Sequence, residues 1–172
     1  MSATTRVTRR RGPLTALEGP EAALAIGDAA ARHVRLTPGG LAPWLGDSPG
    51  GFMPWDAVRL LTVQPPTTLW PHPAIGDSVG PLLEGLLSGG GSFVEGAETP
   101  TFPVRVGTAG ADIEWGVTQH YLSGYRRAEA RATTRLAEYL TDRPEARVLL
   151  ARPAELLDRI ATLVRVRRPL IE

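Results

Sequence analysis

Several residue types and segments are missing from this 172-residue chain. It contains no cysteine, which excludes disulfides, thiolate catalysis and metal sites built on cysteine. It contains no lysine either, so all 19 basic residues are arginine. No run approaches the roughly 18 consecutive apolar residues of a membrane span, and the basic N-terminus lacks the apolar stretch of about 7–15 residues found in a signal peptide. These absences predict a soluble, cytoplasmic protein without a transmembrane segment.

Charge is distributed unevenly along the chain, although the net charge is only +1. Residues 1–11 hold four arginines and no acid. Residues 12–125 hold four arginines against eleven acids, and residues 126–172 hold eleven arginines against seven acids. The middle of the chain is therefore acidic and both ends are basic. This pattern indicates either ordinary pairing within the molecule or a surface for an anionic partner.

Composition divides the chain into three parts, the second of which contains an insertion. Residues 1–14 are polar and arginine-rich, and we expect a disordered basic tail there. Residues 15–143 are predicted to form a β domain with a capping helix, and residues 144–172 a helical C-terminal extension. Residues 67–101 are rich in proline and glycine and contain the linker-like run SGGGS, which predicts an insertion between strands.

Alternating apolar residues predict a β-meander before the insertion. In RHVRLT, Val34 and Leu36 alternate with His33 and Arg35, a pattern typical of a half-buried strand with its polar side chains outward. A PGG turn follows, and LAPWL is then the returning strand of a hairpin. The alanine-rich run before this hairpin, residues 21–31, is ambiguous because alanine favours helix.

The stretch GFMPWDAVRLLTV continues the meander. Its apolar, β-branched second half predicts a strand that ends at the following Pro65 and Pro66, because proline cannot donate to a ladder. We expect Pro54 and Trp55 to begin this strand, with Trp55 filling core and Asp56 capping a turn.

Two further strands follow the insertion. Apolar residues occupy every second position in each of them, namely Phe102, Val104 and Val106 in the first and Ile113, Trp115 and Val117 in the second. Such alternation in consecutive segments predicts an antiparallel pair with one buried face.

Helical periodicity takes over at the end of the chain. Apolar spacing of three and four residues predicts an amphipathic helix over residues 121–140. A second helix is expected to begin at Pro153 and to bury Leu156, Leu157, Ile160 and Leu163. The predicted fold class is α+β: a small antiparallel β-barrel or bent sheet, capped by the long amphipathic helix, with a helical C-terminal extension.

Two motifs carry a family resemblance. The runs HVRLTPGGL and PWDAVRLLTV, followed by an amphipathic helix, resemble the bacterial pleckstrin-homology-like (PH-like) domains. The matching positions are Thr37, Gly40, Leu41, Pro54, Trp55, Asp56 and Val58. The resemblance implies a binding or scaffolding module in which one helix plugs a partly closed barrel. It implies no catalytic residues.

Few residues point to catalysis. The three histidines are His33, His72 and His120. They fall on different predicted elements, without the spacing of a helical metal pair, and no nucleophile elbow or phosphate-binding loop is present.

Asp112 and Glu114 share one strand face, where paired acids can do acid–base work, although an outward acidic face is the commoner case. We predict no metal and no cofactor. An enzyme is the alternative function, with a site formed by the 67–101 insertion, Asp112, Glu114 and His120.

Arginines of the long helix are the main candidate functional residues. Arg127, Arg131 and Arg135 recur every four residues and so lie along one side, with Arg126 beside them. This face is either solvated and internally paired, or a surface for a protein partner or self-association, or a contact for phosphate or lipid headgroups at an anionic surface. Nucleic acid is disfavoured, because the middle of the chain is acidic and few aromatics lie near these arginines.

Trp70 adds a second candidate contact. It lies in the proline-rich run TLWPHP, where a tryptophan is often exposed for binding. The sequence as a whole therefore predicts a non-enzymatic interaction or scaffolding module that binds a protein or an anionic partner.

The glycine-rich run leads to a first testable prediction. Glycine-rich polar loops bury little surface and are readily cleaved, so limited proteolysis should cut first within residues 86–101. Mass spectrometry of the early fragments measures this. First cuts elsewhere, with SGGGSFVEGAE intact, would contradict the prediction.

Overall fold

The computed structural model describes residues 6–68 and 100–166, which form strands first and helices last. The strands are β1 (Arg6–Arg11), β2 (Leu14–Glu18), β3 (Ala23–Gly27), β4 (Arg32–Leu36), β5 (Gly40–Leu45), β6 (Ser48–Pro49), β7 (Met53–Pro54), β8 (Leu60–Val63), β9 (Thr67–Thr68), β10 (Thr101–Gly107), β11 (Asp112–Thr118) and β12 (Tyr125–Arg126). The helices are α1 (Arg127–Asp142) and α2 (Pro153–Val166), with 3₁₀ turns at Trp55–Ala57 and Pro144–Ala151.

Antiparallel ladders join most of these strands into two sheets. In the first sheet β1 to β6 pair in sequence order, and β7 also pairs with β5. In the second sheet β10 lies between β8 and β11. A short parallel bridge pairs β9 with β12. The predicted hairpin of β4 and β5 and the predicted pairing of β10 with β11 are both confirmed.

One hydrophobic core joins the sheets to the helices. α1 packs against β8, and α2 packs against β1 and β2. The core contains side chains from each of these parts, including Leu24, Ile26, Val104, Val106, Leu136, Leu140, Leu156 and Leu157. As predicted, Leu156 and Leu157 are buried, whereas Leu163 on the same helix is exposed.

The predicted α+β fold with a small barrel is wrong. Antiparallel sheet predominates over helix in the described residues, and their ladders do not close into a barrel. The first sheet ends at β1 and β6, and the second ends at β8 and β11. A covering helix is present, since α1 packs on β8. The expectation underestimated the sheet in part because two of its strands, β1 and β3, did not show in the alternation pattern.

Each of these two strands has a physical reason for being missed. β1 was expected to be part of a disordered tail, but Arg6–Arg11 pair with β2, with an irregularity between Val7 and Arg9. Its side chains are mostly exposed, as is common for a charged edge strand. All five residues of β3 are buried, so the strand shows no alternation, and its alanines instead suggested helix.

Strand β4 departs from the predicted half-buried pattern. Val34 and Leu36 enter the core as expected, but His33 and Arg35 are also buried, with Arg35 only 6% exposed. The expectation that these polar side chains point to solvent is therefore wrong. Both faces of β4 are covered, and the polar face contains a network described below.

The long helix begins later than predicted. Helix α1 starts at Arg127 rather than at residue 121, because Gly124 adopts a φ of +86° that a helix does not allow. A Cβ at Gly124 would lie 2.8 Å from the carbonyl oxygen of Pro66. The backbone N–H of Tyr125 donates to that same oxygen, so β12 precedes the helix.

Some sequence expectations fall on parts of the chain that the structure does not describe. Residues 1–5, 69–99 and 167–172 lie outside the described ranges. The centre of the predicted 67–101 insertion, its cleavable run, Trp70 and His72 are therefore outside them.

Trp55 fills core as predicted, but Pro54 and Trp55 do not begin the strand: Trp55 lies in a 3₁₀ turn, and β8 begins at Leu60. The Trp55 side chain is 3% exposed, and its indole N–H donates to the carbonyl oxygen of Thr37 at 2.8 Å. The guanidinium of Arg147 lies 4.8 Å from the centre of the indole ring. Asp56 follows in the first turn of the 3₁₀ segment, where no side-chain cap is formed.

Truncating Trp55 should destabilise the whole domain. A Trp55→Ala change should cost about 3–5 kcal/mol, since it removes a large buried ring and leaves a cavity. Urea denaturation followed by circular dichroism measures this loss. The matched control is Phe52→Ala, because Phe52 is exposed and its loss should change the unfolding free energy by no more than about 0.5 kcal/mol. A Trp55→Ala protein as stable as the control would contradict the core assignment.

Candidate functional site

The candidate site is the arginine surface, which we define as Arg126, Arg127, Arg131 and Arg135. All four side chains are exposed. The last three lie along one side of α1, as the four-residue spacing predicts. The opposite side of the helix faces the core with its buried residues, namely Ala130, Thr133, Leu136, Ala137 and Leu140.

The arginine surface has no carboxylate partner within the described part of the chain. The ion pairs there are Arg9–Asp158, Arg35–Glu21, Arg105–Glu114, Arg143–Glu145 and Arg152–Glu155. Glu138 follows Arg135 by three residues on the helix, yet the two side chains form no ion pair. Internal pairing, one of the interpretations left open by the sequence, is thus not found between the described residues.

The start of α1 adds to the positive potential of this surface. Helix N-termini carry a partial positive charge, so cations are unfavourable there and anions are favourable. Arg126 is the N-cap residue and forms no side-chain cap, and Arg127 is the first helical residue. Glu129 is the one acid of the first turn. The arginine surface therefore begins where the helix already attracts an anion.

Folding also brings the N-terminal arginines to this end of α1. Gly12, directly after β1, lies against the first turn of α1, since a Cβ on Gly12 would be 2.7 Å from the Cβ of Glu129. Its φ of +53° also suits glycine. Arg10 and Arg11 at the end of β1 consequently lie at the same end of the helix as Arg126. Described arginines of the two basic segments, residues 1–11 and 126–172, thus lie at the same end of α1, a juxtaposition that the sequence alone does not reveal.

The residues proposed for the alternative enzyme site are not brought together. Asp112 and Glu114 are exposed at the beginning of β11, and Glu114 forms an ion pair with Arg105 at 2.7 Å. His120 follows the end of the same strand. Asp112 and Thr118 are six positions apart along the strand, which corresponds to about 20 Å. The described residues therefore do not form an acid–base site from these three side chains.

His120 instead belongs to a polar trio between the sheet and β12. Its Nδ1 lies 3.1 Å from the hydroxyl of Tyr125, and its Nε2 lies 3.2 Å from Oγ1 of Thr15. The backbone N–H of His120 donates to the same Tyr125 hydroxyl at 2.9 Å. In the tautomer that carries its proton on Nε2, Nδ1 accepts from the Tyr125 hydroxyl and Nε2–H donates to Oγ1 of Thr15.

Burial perturbs both titratable members of this trio. Desolvation, reinforced by the charge of Arg10, lowers the pKa of His120 to about 4. Desolvation raises the pKa of Tyr125 to about 12. Both groups stay neutral near pH 7, and Tyr125 is fully buried. We interpret the trio as a structural connection between Thr15 of the first sheet and the strand that leads into α1.

A second buried network surrounds Arg35, and the sequence did not predict it. The Nε–H of Arg35 donates to Nε2 of His33 at 3.1 Å, and Nη1 pairs with Glu21 at 3.3 Å. The guanidinium stacks 3.4 Å from the ring centre of Trp44. Burial lowers the pKa of both His33 and Arg35. The register of the β4–β5 hairpin could have indicated this network, because it places His33 directly opposite Trp44 in the ladder.

The described ranges contain neither a metal-binding cluster nor a membrane-spanning helix. No three histidine, aspartate or glutamate side chains within them approach closely enough to hold a metal ion. No helix of the described chain is both long enough and apolar enough to cross a membrane.

Comparison with known proteins assigns no relative. No family model matches the chain, and neither the curated proteins nor the solved structures contain a significant match. The resemblance to PH-like domains stays a prediction.

His120 makes the stability of the protein pH-dependent. Its pKa is about 4 when folded and about 6.5 in an unfolded chain, so the unfolded state binds more protons between these values. Stability is therefore lost as the pH falls from about 6.5 towards 4, and by about 2 kcal/mol between pH 7 and pH 5.

A His120→Gln variant tests this effect, because its side chain does not titrate. Urea unfolding at pH 7 and pH 5 should show a smaller loss of stability in the variant than in the parent. Equal losses in the two proteins would show that His120 does not titrate as assigned.

Proposed function

We propose that this chain is a non-enzymatic interaction module that binds an acidic protein surface through the arginine surface of α1. One observation carries the proposal: Arg127, Arg131 and Arg135 are exposed in a row and have no carboxylate partner among the described residues. Surface arginines close to acids would simply be paired, as Arg105 is with Glu114.

Two energetic terms oppose this arrangement in the free protein. Like charges four residues apart destabilise a helix by a few tenths of a kcal/mol per pair. Basic residues in the first turn also oppose the helix dipole. A bound anionic partner reverses the sign of both terms, because it screens the repulsion and interacts favourably with the helix N-terminus. The same arginines then stabilise the complex, although they destabilise the helix of the free protein.

An acidic protein fits this surface better than a nucleic acid does. Binding of single-stranded nucleic acid commonly relies on aromatic side chains that stack on the bases. The one exposed aromatic residue of α1 is Tyr139, which lies beyond the last arginine of the surface. A rigid helical face with planar guanidinium groups is well suited to bidentate pairing with carboxylates. A second copy of the chain is included in this class of partner.

Two further expectations belong to the same proposal. The lack of cysteine agrees with a reducing compartment, and we place the module in the cytoplasm. The resemblance to bacterial PH-like domains implies the same class of function, a binding or scaffolding domain without catalytic residues.

The triple variant Arg127→Gln, Arg131→Gln and Arg135→Gln tests the proposal with immobilised poly-glutamate as the probe. The parent should bind at low salt and weaken as salt rises, because the Debye length shrinks from about 10 Å at 0.1 M to about 3 Å at 1 M. The variant should bind at least about tenfold more weakly. Its melting temperature should be unchanged or slightly raised, since these exposed side chains make no ion pair between described residues and their mutual repulsion is removed.

A matched control separates a specific surface from net charge. Changing Arg6, Arg59 and Arg159 to glutamine removes the same charge from three exposed positions outside the arginine surface. This control should bind within about twofold of the parent. Equal losses in both triple variants would mean that only net charge matters, and the proposal would be rejected.

Vesicles containing phosphatidylserine serve as a second probe, and tighter binding to them than to poly-glutamate would show that the partner is a lipid surface.

A further inference from the structure

A shallow cleft at the end of the two sheets has the features of a peptide-binding groove. Its volume is about 400 Å³, and it opens to solvent between the β5–β6 hairpin and β11. Trp44 and Trp115 form its walls, and Pro43 and Pro49 line it as well. Both tryptophans are half-buried, although the alternation pattern predicted a position on the buried face for Trp115. The cleft is separate from the arginine surface, since none of those four arginines lines it.

The Arg35 network holds Trp44 in place from below. The guanidinium of Arg35 stacks on the indole at 3.4 Å and is held by Glu21 and His33. His33 also stacks with Trp44, with the ring centres 6.2 Å apart. Glu21 is exposed, so its ion pair with Arg35 is half-solvated and adds little net stability. The network therefore acts mainly by orienting Trp44, one wall of the cleft, before any ligand binds.

The two tryptophans also present unused hydrogen-bond donors. Trp55 donates its indole N–H to Thr37, but in the described ranges neither Trp44 nor Trp115 donates its own to a protein acceptor. A ligand for this cleft should therefore combine flat apolar rings with exposed carbonyl acceptors. A proline-rich segment in the polyproline II conformation has both, since its backbone carbonyls make no internal hydrogen bonds. Aromatic-lined grooves are a recurring way to bind such segments.

Charged side chains at the rim of the cleft indicate which charge a ligand should carry. Arg32 lines the cleft with an exposed side chain that forms no ion pair in the described residues. Glu114 also lines it, but Arg105 already neutralises Glu114 at 2.7 Å. Asp47, in the β5–β6 turn, lies close enough to act on His33 and Arg35 but does not line the cleft. Arg32 is therefore the unpaired charge of the lining that a ligand meets. We propose that the cleft between Trp44 and Trp115 binds a proline-rich segment of a partner, with a carboxylate of that segment paired to Arg32.

A peptide titration tests the proposal directly. The probe is a fluorescein-labelled octaproline with two aspartates at one end, and the control peptide replaces the prolines with alternating glycine and serine. Fluorescence anisotropy should show saturable binding of the proline peptide, at least about tenfold tighter than that of the control peptide. No saturable binding up to about 1 mM protein, or equal binding of the two peptides, overturns the proposal.

Variants locate the binding site. Trp115→Ala should weaken binding by about tenfold or more, whereas Phe52→Ala removes an exposed aromatic ring outside the cleft and should leave it unchanged. Arg32→Gln should weaken binding of the acidic peptide but not of plain octaproline. The triple variant of the arginine surface should bind the peptide as the parent does, which separates this cleft from the proposed function. Full binding by Trp115→Ala overturns the proposal.

A spectroscopic measurement on the unaltered protein covers the case in which Trp115→Ala fails to fold. In a ¹⁵N correlation spectrum, the indole N–H signals of Trp44 and Trp115 should shift as the peptide is added. The signal of Trp55, whose N–H is already bonded to Thr37, should stay in place. Binding without shifts of the Trp44 and Trp115 signals overturns the proposal.

Discussion

The position of Trp55 underlies most of the remaining structure. Its indole N–H donates to the carbonyl oxygen of Thr37 in the turn between β4 and β5, and Arg147 lies over its ring. Arg147 in turn donates from Nε to the carbonyl oxygen of Leu140 and from Nη2 to that of Thr141. These are among the last carbonyls of α1, which have no partner within the helix. One buried indole thus connects the first sheet to the helix that carries the arginine surface.

The arginines of this chain serve three different physical roles. Arg147 caps a helix end, and Arg35 is buried beneath Trp44, where its stacking and hydrogen bonds orient a cleft wall. Arg127 and its neighbours on α1 are exposed without a described partner. The planar guanidinium suits all three tasks, because it can stack on a ring while its N–H groups donate in plane. A composition without lysine therefore does not mean that the arginines are equivalent.

The two proposed binding sites differ in how they would gain affinity. The arginine surface relies on charge, so its binding should be sensitive to salt and tolerant of the partner's shape. The tryptophan cleft relies on stacking and on two indole donors held in place, so it should be sensitive to single aromatic substitutions. A module with one site of each kind could bind two segments of one partner, or two different partners, at the same time.

Local patterns determined those parts of the fold in which one face of an element is buried. Period-two alternation identified β10 and β11, the PGG turn identified the β4–β5 hairpin, and four-residue spacing identified the arginine row on α1. Tertiary structure alone decided the burial of Arg35, the strand made from the basic N-terminus and the meeting of Gly12 with Glu129. Each of these depends on contacts between residues far apart in the chain, which leave no periodic trace in the sequence. Burial of both faces also removes alternation, and this is why β3 and the polar face of β4 were visible only once the sheets were assembled.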